Sequence, residues 1–288
     1  MIRIILESVH ILAKVTIIGI THIDSESQEK VSRILEKVKP DAVCLELDEY
    51  RLKALLENET TELSAKHETT KDTNDVSVAK EEDEEEKTTF NYEQDFATVL
   101  EDIGFFESEL ARLTHTDQPG REMLIAYKLA KKIGAAIFLI DRSIQDISKV
   151  LEEEVSGEEA AKFQQLIDEL MYDKKIVAKP LNQDDLPLSE PLKNFNELED
   201  EEEINLNEVI EIFKDQESLE SILSVFNQNF PQLYSILLED RNIFMSKQIL
   251  KVITKYNNVV VVLGYGHVQE ISKILKETND NLSVEVMN

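Results

Sequence analysis

The sequence predicts an α/β fold: a mixed or mostly parallel central sheet with flanking helices, a pseudo-repeat and an added helical region. Three observations carry this reading. Apolar runs of strand length at 15–18, 42–47, 135–140 and 259–263 lack polar alternation, as strands covered on both faces require. Helical spacing fills the intervals between them, so strand and helix alternate along the chain. The first and last units also resemble each other. Each is an apolar strand running into Gly-x-x-His, then a helix, then a second strand.

Taken in order, residues 2–6 read as a short lead-in strand, and Val15-Thr16-Ile17-Ile18 as the first clear one, its β-branched side chains suited to a packed pleat. Gly19 ends it and lets the backbone turn tightly. Val31, Ile34, Leu35 and Val38 recur at helical spacing, with Asp24 or Ser25 placed as N-cap. Pro40-Asp41 stops that helix, 42–47 supplies the second strand, and Asp48-Glu49-Tyr50-Arg51-Leu52 begin a second helix.

From 58 to 89 charged, Thr and Ser residues replace spaced apolar ones and end in an acidic run at 81–86. So little apolar surface cannot offset chain ordering, which predicts a flexible acidic insertion. Helical spacing resumes near Phe96 and over 122–131, with Gln118-Pro119-Gly120 as a turn between. The strand at 135–140 ends in Asp141-Arg142. Residues 150–252 read as a mainly helical region of the same single domain, 1–288, interrupted by a polar stretch at 180–191 and an acidic run at 199–203. Its last helix, 231–250, carries Glu239-Asp240-Arg241-Asn242. The final unit, Val260-Val261-Val262-Leu263-Gly264-Tyr265-Gly266-His267, parallels Val15-Thr16-Ile17-Ile18-Gly19-Ile20-Thr21-His22, and 282–286 parallels 42–47. Open α/β sheets bind ligands at the carboxyl ends of their strands, where both histidines fall.

With 42% hydrophobic residues the chain can build a core despite 59 acidic against 31 basic residues, a formal net charge of -28. Such a surface repels nucleic-acid phosphates and anionic lipid headgroups, so no nucleic-acid partner is expected; a basic protein partner or a bound cation is accommodated more easily. The lone cysteine, Cys44, lies in an apolar strand and is expected as a small buried residue. No stretch approaches the roughly 20 apolar residues of a membrane span or has signal-peptide character. Cytoplasmic residence is the default expectation, with peripheral association with a membrane or organelle as the other setting.

His22, Glu46 and His267 form the candidate site. Imidazole exchanges a proton near neutral pH and binds metals in its neutral form. Glu46 lies where an apolar strand ends, and a carboxylate there is costly to bury unless paired, hydrogen-bonded or metal-bound. Asp48 reads more readily as an electrostatic cap at a helix start. Arg51, Arg142 beside Asp141, and Arg241 beside Asp240 suit either an anionic substrate or structural ion pairs. Asp141-Arg142 is the better pair, and Arg142 and Arg241 join the candidate catalytic residues. The sequence has no phosphate loop, nucleophile elbow or His-Glu-x-x-His helix, which favours activated water over a covalent intermediate. The expected centre is a divalent metal ion held by His22, Glu46 and His267 with a position left for water. A metal-free version uses one histidine as general base, oriented by a carboxylate.

Gly19-Ile20-Thr21-His22, Pro40-Asp41-Ala42-Val43-Cys44-Leu45-Glu46-Leu47-Asp48 with Arg51, and Gly120-Arg121-Glu122-Met123 are followed by Ile140-Asp141-Arg142, Glu239-Asp240-Arg241-Asn242 with Met245, and Gly264-Tyr265-Gly266-His267. In this order they resemble the TraB/PrgY family, within the wider group related to the Tiki and GumN-like proteins. The resemblance implies a link to peptide chemistry: bacterial members limit a secreted peptide pheromone, and Tiki relatives are metal-dependent proteases of secreted signalling proteins. By that likeness His22, Glu46 and His267 take metal or catalytic roles. The expectation is a metal-dependent hydrolase, in its narrower form a peptidase of a peptide or protein substrate. The alternatives are a non-enzymatic regulatory or peptide-binding protein and an acidic structural adaptor.

Overall fold

Five strands form one sheet: β1 (Lys14–Ile20), β2 (Ala42–Leu45), β3 (Ala136–Leu139), β4 (Asn258–Gly264) and β5 (Ser283–Met287). Their order is β3-β2-β4-β1-β5, and every pairing is parallel. The structure is a computed structural model and describes residues 13–21, 25–68, 120–168 and 215–287. The expected lead-in strand at 2–6, the helical spacing near Phe96, and the segments at 81–86, 180–191 and 199–203 lie outside the described residues. Helix α2 (Glu49–Glu68) runs across the expected start of the acidic insertion at 58, so residues 58–68 are helical.

Parallel neighbours need crossover helices, and the two end units make theirs in opposite directions. From β1 the chain passes through α1 (Ser25–Val38) and steps past β4 to reach β2. From β4 it passes through α9 (Tyr265–Thr278) and steps past β1 to reach β5. Such crossovers are right-handed, so opposite steps place the two helices on opposite faces. The core shows this. Val31, Ile34 and Leu35 of α1 pack with Ile18, Ile20, Val43, Leu45, Val260 and Val262 on one face. Val268, Ile271 and Leu275 of α9 pack with Val15, Ile17, Cys44, Val259, Val261 and Leu263 on the other. The two units are thus related by a pseudo-two-fold axis running along the strands. Helix α3 (Arg121–Ile133) joins α1, entered through Gly120 at φ 84, the turn its sequence signals. Cys44 is fully buried in β2, and burial pushes its thiol pKa up, which keeps it an apolar core residue.

The likeness of the two glycine turns is imperfect. Gly264 pairs in register with Ile20, one residue beyond Gly19. The second unit also enters its helix at once, so His267 sits in the first turn of α9 rather than in a loop before it.

The helical region comprises α4 (Ile144–Glu154), α5 (Gly157–Asp168), α6 (Gln216–Asn229) and α7 (Pro231–Tyr234). A π-helical turn, Ser235–Glu239, leads from α7 into α8 (Asp240–Ile253). It has its own core of Ile147, Leu151, Phe163, Phe230, Leu233 and Ile236. Among the described residues no helix is long and apolar enough to cross a membrane.

Gly19 is required by close approach: a Cβ there would lie 2.7 Å from Cδ1 and Cε1 of Tyr265. Gly19→Ala is expected to cost about 1–3 kcal/mol in urea unfolding, because the ring and the backbone beneath it must separate. Gly157→Ala, where an added carbon meets nothing within 4 Å, is the control and should not destabilise.

Candidate functional site

The carboxyl ends of β2, β3 and β4 gather a buried polar cluster. After Leu45 the chain turns sharply, with Leu47 N–H donating to the Leu45 carbonyl at 2.7 Å. Glu46 is the residue enclosed by that turn, and its own N–H donates to Val262 O of β4 at 3.2 Å. Its side chain is 7% exposed. The carboxylate takes the Gly264 N–H on Oε2 at 2.7 Å and Nη2 of Arg241 on Oε1 at 2.6 Å. Burial of the charge is thereby matched by a backbone donor at the start of α9 and a guanidinium from α8.

Asp141, just after β3, is the hub. Its Oδ1 accepts from the Arg142 backbone N–H at 2.8 Å and from Nε of Arg241 at 3.2 Å. Its Oδ2 accepts from Nη2 of Arg51 at 2.6 Å and Nη2 of Arg241 at 2.7 Å. A carboxylate offers about four acceptor positions, so Asp141 is saturated. Burial alone would raise its pKa; the Arg241 charge and hydrogen bonds, with Arg51 adding to them, win and hold it below the ordinary carboxylate value. The same pairing with Asp141 and Glu46 keeps the Arg241 pKa above normal against the cost of its own burial. Arg241 gives its remaining nitrogen, Nη1, to the Leu237 carbonyl of the π-helical turn at 2.9 Å.

Asp48 is an N-cap, as its place at the head of α2 predicts. Its Oδ1 accepts the Arg51 N–H at 2.8 Å, and its Oδ2 accepts the first amide of α4, Ile144 N, at 2.8 Å and Nε of Arg51 at 3.1 Å. One carboxylate therefore ties two helix starts to one arginine.

His267 completes the cluster. Its Nε2 lies 3.2 Å from Oε1 of Glu46, and its Nδ1 lies 2.7 Å from Oδ1 of Asn242 on α8. All three residues are buried. Of the sequence-predicted set, Glu46, His267 and Arg241 come together. His22 lies outside the described residues; the strand leading towards it ends at Ile20, whose register partner is Gly264. Among the described residues no group of three or more His, Cys, Asp or Glu is placed to hold a metal ion. The expected Asp141-Arg142 side-chain pair is not formed. Asp141 is taken by Arg51 and Arg241, and the Arg142 guanidinium lies over the Phe244 ring, 5.5 Å from its centroid. Asn242, the partner of His267, is missed as a site residue by a reading that looks for charge; its signal is its place beside Arg241 in the Glu239-Asp240-Arg241-Asn242 piece.

Asp141→Asn is expected to cost about 3–5 kcal/mol at pH 7, since it leaves the largely buried Arg241 and the partly buried Arg51 without their shared anion. Because the folded carboxyl is held below its unfolded value, its contribution is fully present above the ordinary Asp range near 4 and fades as pH falls through the lower folded value. Urea unfolding at pH 7 and pH 3 should show the gap between the two proteins narrowing in acid. A constant gap would mean the side chain is not ionised in the fold.

The TraB/PrgY/gumN family matches residues 11–281. The chain is also similar to an uncharacterized protein of the archaeon Methanocaldococcus jannaschii, 24% identical over 272 residues, which cover 94% of this chain and 55% of that protein. The chain thus spans about half the length of this curated relative. Since the matched region takes in β1 to α9, with Glu46, Asp141, Arg241 and His267 all inside it, the protein belongs to the TraB/PrgY/gumN family.

Proposed function

We propose that the chain is a hydrolase of the TraB type, in its narrower form a metal-dependent peptidase, centred on Glu46 and His267. One observation carries this reading. Nδ1 of His267 faces an acceptor, Asn242 Oδ1, so the ring proton belongs on Nδ1 and a neutral ring turns the Nε2 lone pair towards Glu46 Oε1 at 3.2 Å. Two acceptors at that distance call for a proton or a metal ion between them. Ligands about 2.0–2.2 Å from one ion stand roughly 3 Å apart, so the spacing suits shared coordination, with His22 as the third ligand. A divalent ion held there would polarise a carbonyl and lower the pKa of a bound water. The chain's own residues do the rest. Asn242 fixes the imidazole ring, a role that outer partners of metal-binding histidines commonly fill. The Gly264 N–H orients the Glu46 carboxylate. Arg241, anchored by Asp141, stands where it can meet negative charge developing on a carbonyl oxygen.

A second reading has its own observation. Nη2 of Arg241 already lies 2.6 Å from the same Glu46 oxygen, which favours a proton over a metal ion between Glu46 and His267. The pair would then act as a metal-free general acid and base.

Elemental analysis of the purified protein, with hydrolysis of a peptide library with and without chelator, separates them. The metal reading expects about one divalent ion per chain, chelator-sensitive product formation, and loss of both in Glu46→Gln and His267→Ala. Asn242→Ala should lower metal affinity about 10–100-fold. Chelator-insensitive hydrolysis abolished by both substitutions supports the acid–base pair. Hydrolysis unchanged in both variants would remove the site from either account.

A further inference from the structure

Among the described residues Arg142 has no anion of its own. Its backbone N–H serves Asp141 and its carbonyl receives Nη2 of Arg51 at 3.5 Å, while its guanidinium rests on Phe244. Its Nε is buried without a hydrogen-bond partner, although the residue as a whole is only partly buried. Among the described residues no acidic side chain pairs with it, in a chain of 59 acids and 31 bases where a spare carboxylate is easily found. The reason is local. Its sequence neighbour Asp141 has its acceptor positions filled by Arg51, Arg241 and the Arg142 amide itself.

A buried donor without a partner is costly in the fold, and it is relieved when a ligand supplies the acceptor. The position is also a useful one. Phe244, the platform for this guanidinium, follows Arg241 by three residues on α8, about 4.5 Å along the helix axis. Arg241 in turn touches Glu46. Helix α4 begins two residues after Arg142, and its positive end adds to the local potential.

We infer that Arg142 binds a carboxylate of the substrate, on the Asp141–Arg241 side of the Glu46–His267 centre; this rests on the reading of that pair as the reacting centre. A carboxylate is the favoured anion for two reasons. Its planar pair of oxygens matches the guanidinium fork, and a single charge suffers less than a phosphate dianion from the field of a chain with net charge -28. The carboxylate comes either from a peptide's own C-terminus or from an acidic side chain.

Calorimetric titration of the full, chelator-treated chain at fixed ionic strength tests this with four probes. They are N-acetyl-trialanine, its C-terminal amide, N-acetyl-Ala-Glu-Ala amide, and inorganic phosphate. At least one carboxylate peptide is expected to bind about 10–100-fold tighter than the neutral amide, the scale of a charge-assisted hydrogen bond, with phosphate weaker. Whichever of the two binds identifies the source of the carboxylate. Arg142→Gln should reduce the preference to within about twofold. Arg142→Lys, which keeps the charge and loses the fork, should retain less than about a third of it, and provides the comparison should the glutamine variant not fold. Equal binding of acid and amide, phosphate binding as tight as the peptides, no binding of any probe, or a preference that survives both substitutions would each overturn the assignment. The readout needs no turnover, so its failure leaves the hydrolysis test intact, and a failed hydrolysis test leaves the preference measurable.

Discussion

A carboxylate that has no accessible surface, Asp141, holds two guanidiniums from different helices, and the site depends on that arrangement. Arg51 comes from α2 and Arg241 from α8, while Asp141 itself follows β3. Removing Asp141 or Arg241 leaves a largely buried charge short of its partner, which is far more expensive than the net worth of the intact cluster. Such a network contributes geometry more than stability. It sets where Arg241 lies, and Arg241 is the side chain that reaches across to Glu46. The π-helical turn has the same effect from the other side, since its Leu237 carbonyl takes the nitrogen of Arg241 that faces neither acid. Departures from α-helical register of this kind are common beside functional residues.

The sheet topology explains why these groups meet at all. The crossovers out of β1 and β4 run in opposite directions, so the carboxyl ends of these central strands form a point of divergence, the place where open α/β sheets bind ligands. Glu46 stands on one side of β4, and the backbone of Gly264 at the end of β4 binds it directly. Among the described residues the contacts at the site come unequally from the two units. α8 supplies Asn242 to His267 of α9 and Arg241 to Glu46, which follows β2.

Much of the fold was legible because both-faced burial leaves a plain mark. β1, β2, β3 and β4 are continuous apolar runs, and α1 shows its buried stripe in Val31, Ile34 and Leu35. Glu46 was legible because an acid at the end of such a run must be compensated. What stayed hidden has a common cause: adjacency in sequence is a poor guide to direction in space. Asp141 and Arg142 look like a pair, yet successive residues leaving a strand project to different sides, and the carboxylate meets Arg51 and Arg241 instead. Gly264 and Gly266 suggest a loop before His267, but Gly264 keeps to ordinary extended backbone and α9 starts at the next residue. Asn242 carries no charge and so no mark in a search for titratable groups.

The chain's overall charge then bears on what such a site can receive. A net charge of -28 favours the approach of cations and makes every additional negative charge on a ligand harder to bring in. Within that field the cluster is polarised. Glu46 and the Nε2 of His267 present electron-rich atoms, while Arg142, excluded from Asp141 by saturation, presents a guanidinium whose Nε has no partner among the described residues. The proposed substrate, with an electrophilic carbonyl and one carboxylate, would complement both. A polyanion complements only one and is repelled by the rest of the surface. On the proposed reading, such selectivity would trace to the filled acceptor shell of Asp141, which engages Arg51 and Arg241 and leaves the Arg142 guanidinium without a carboxylate among the described residues.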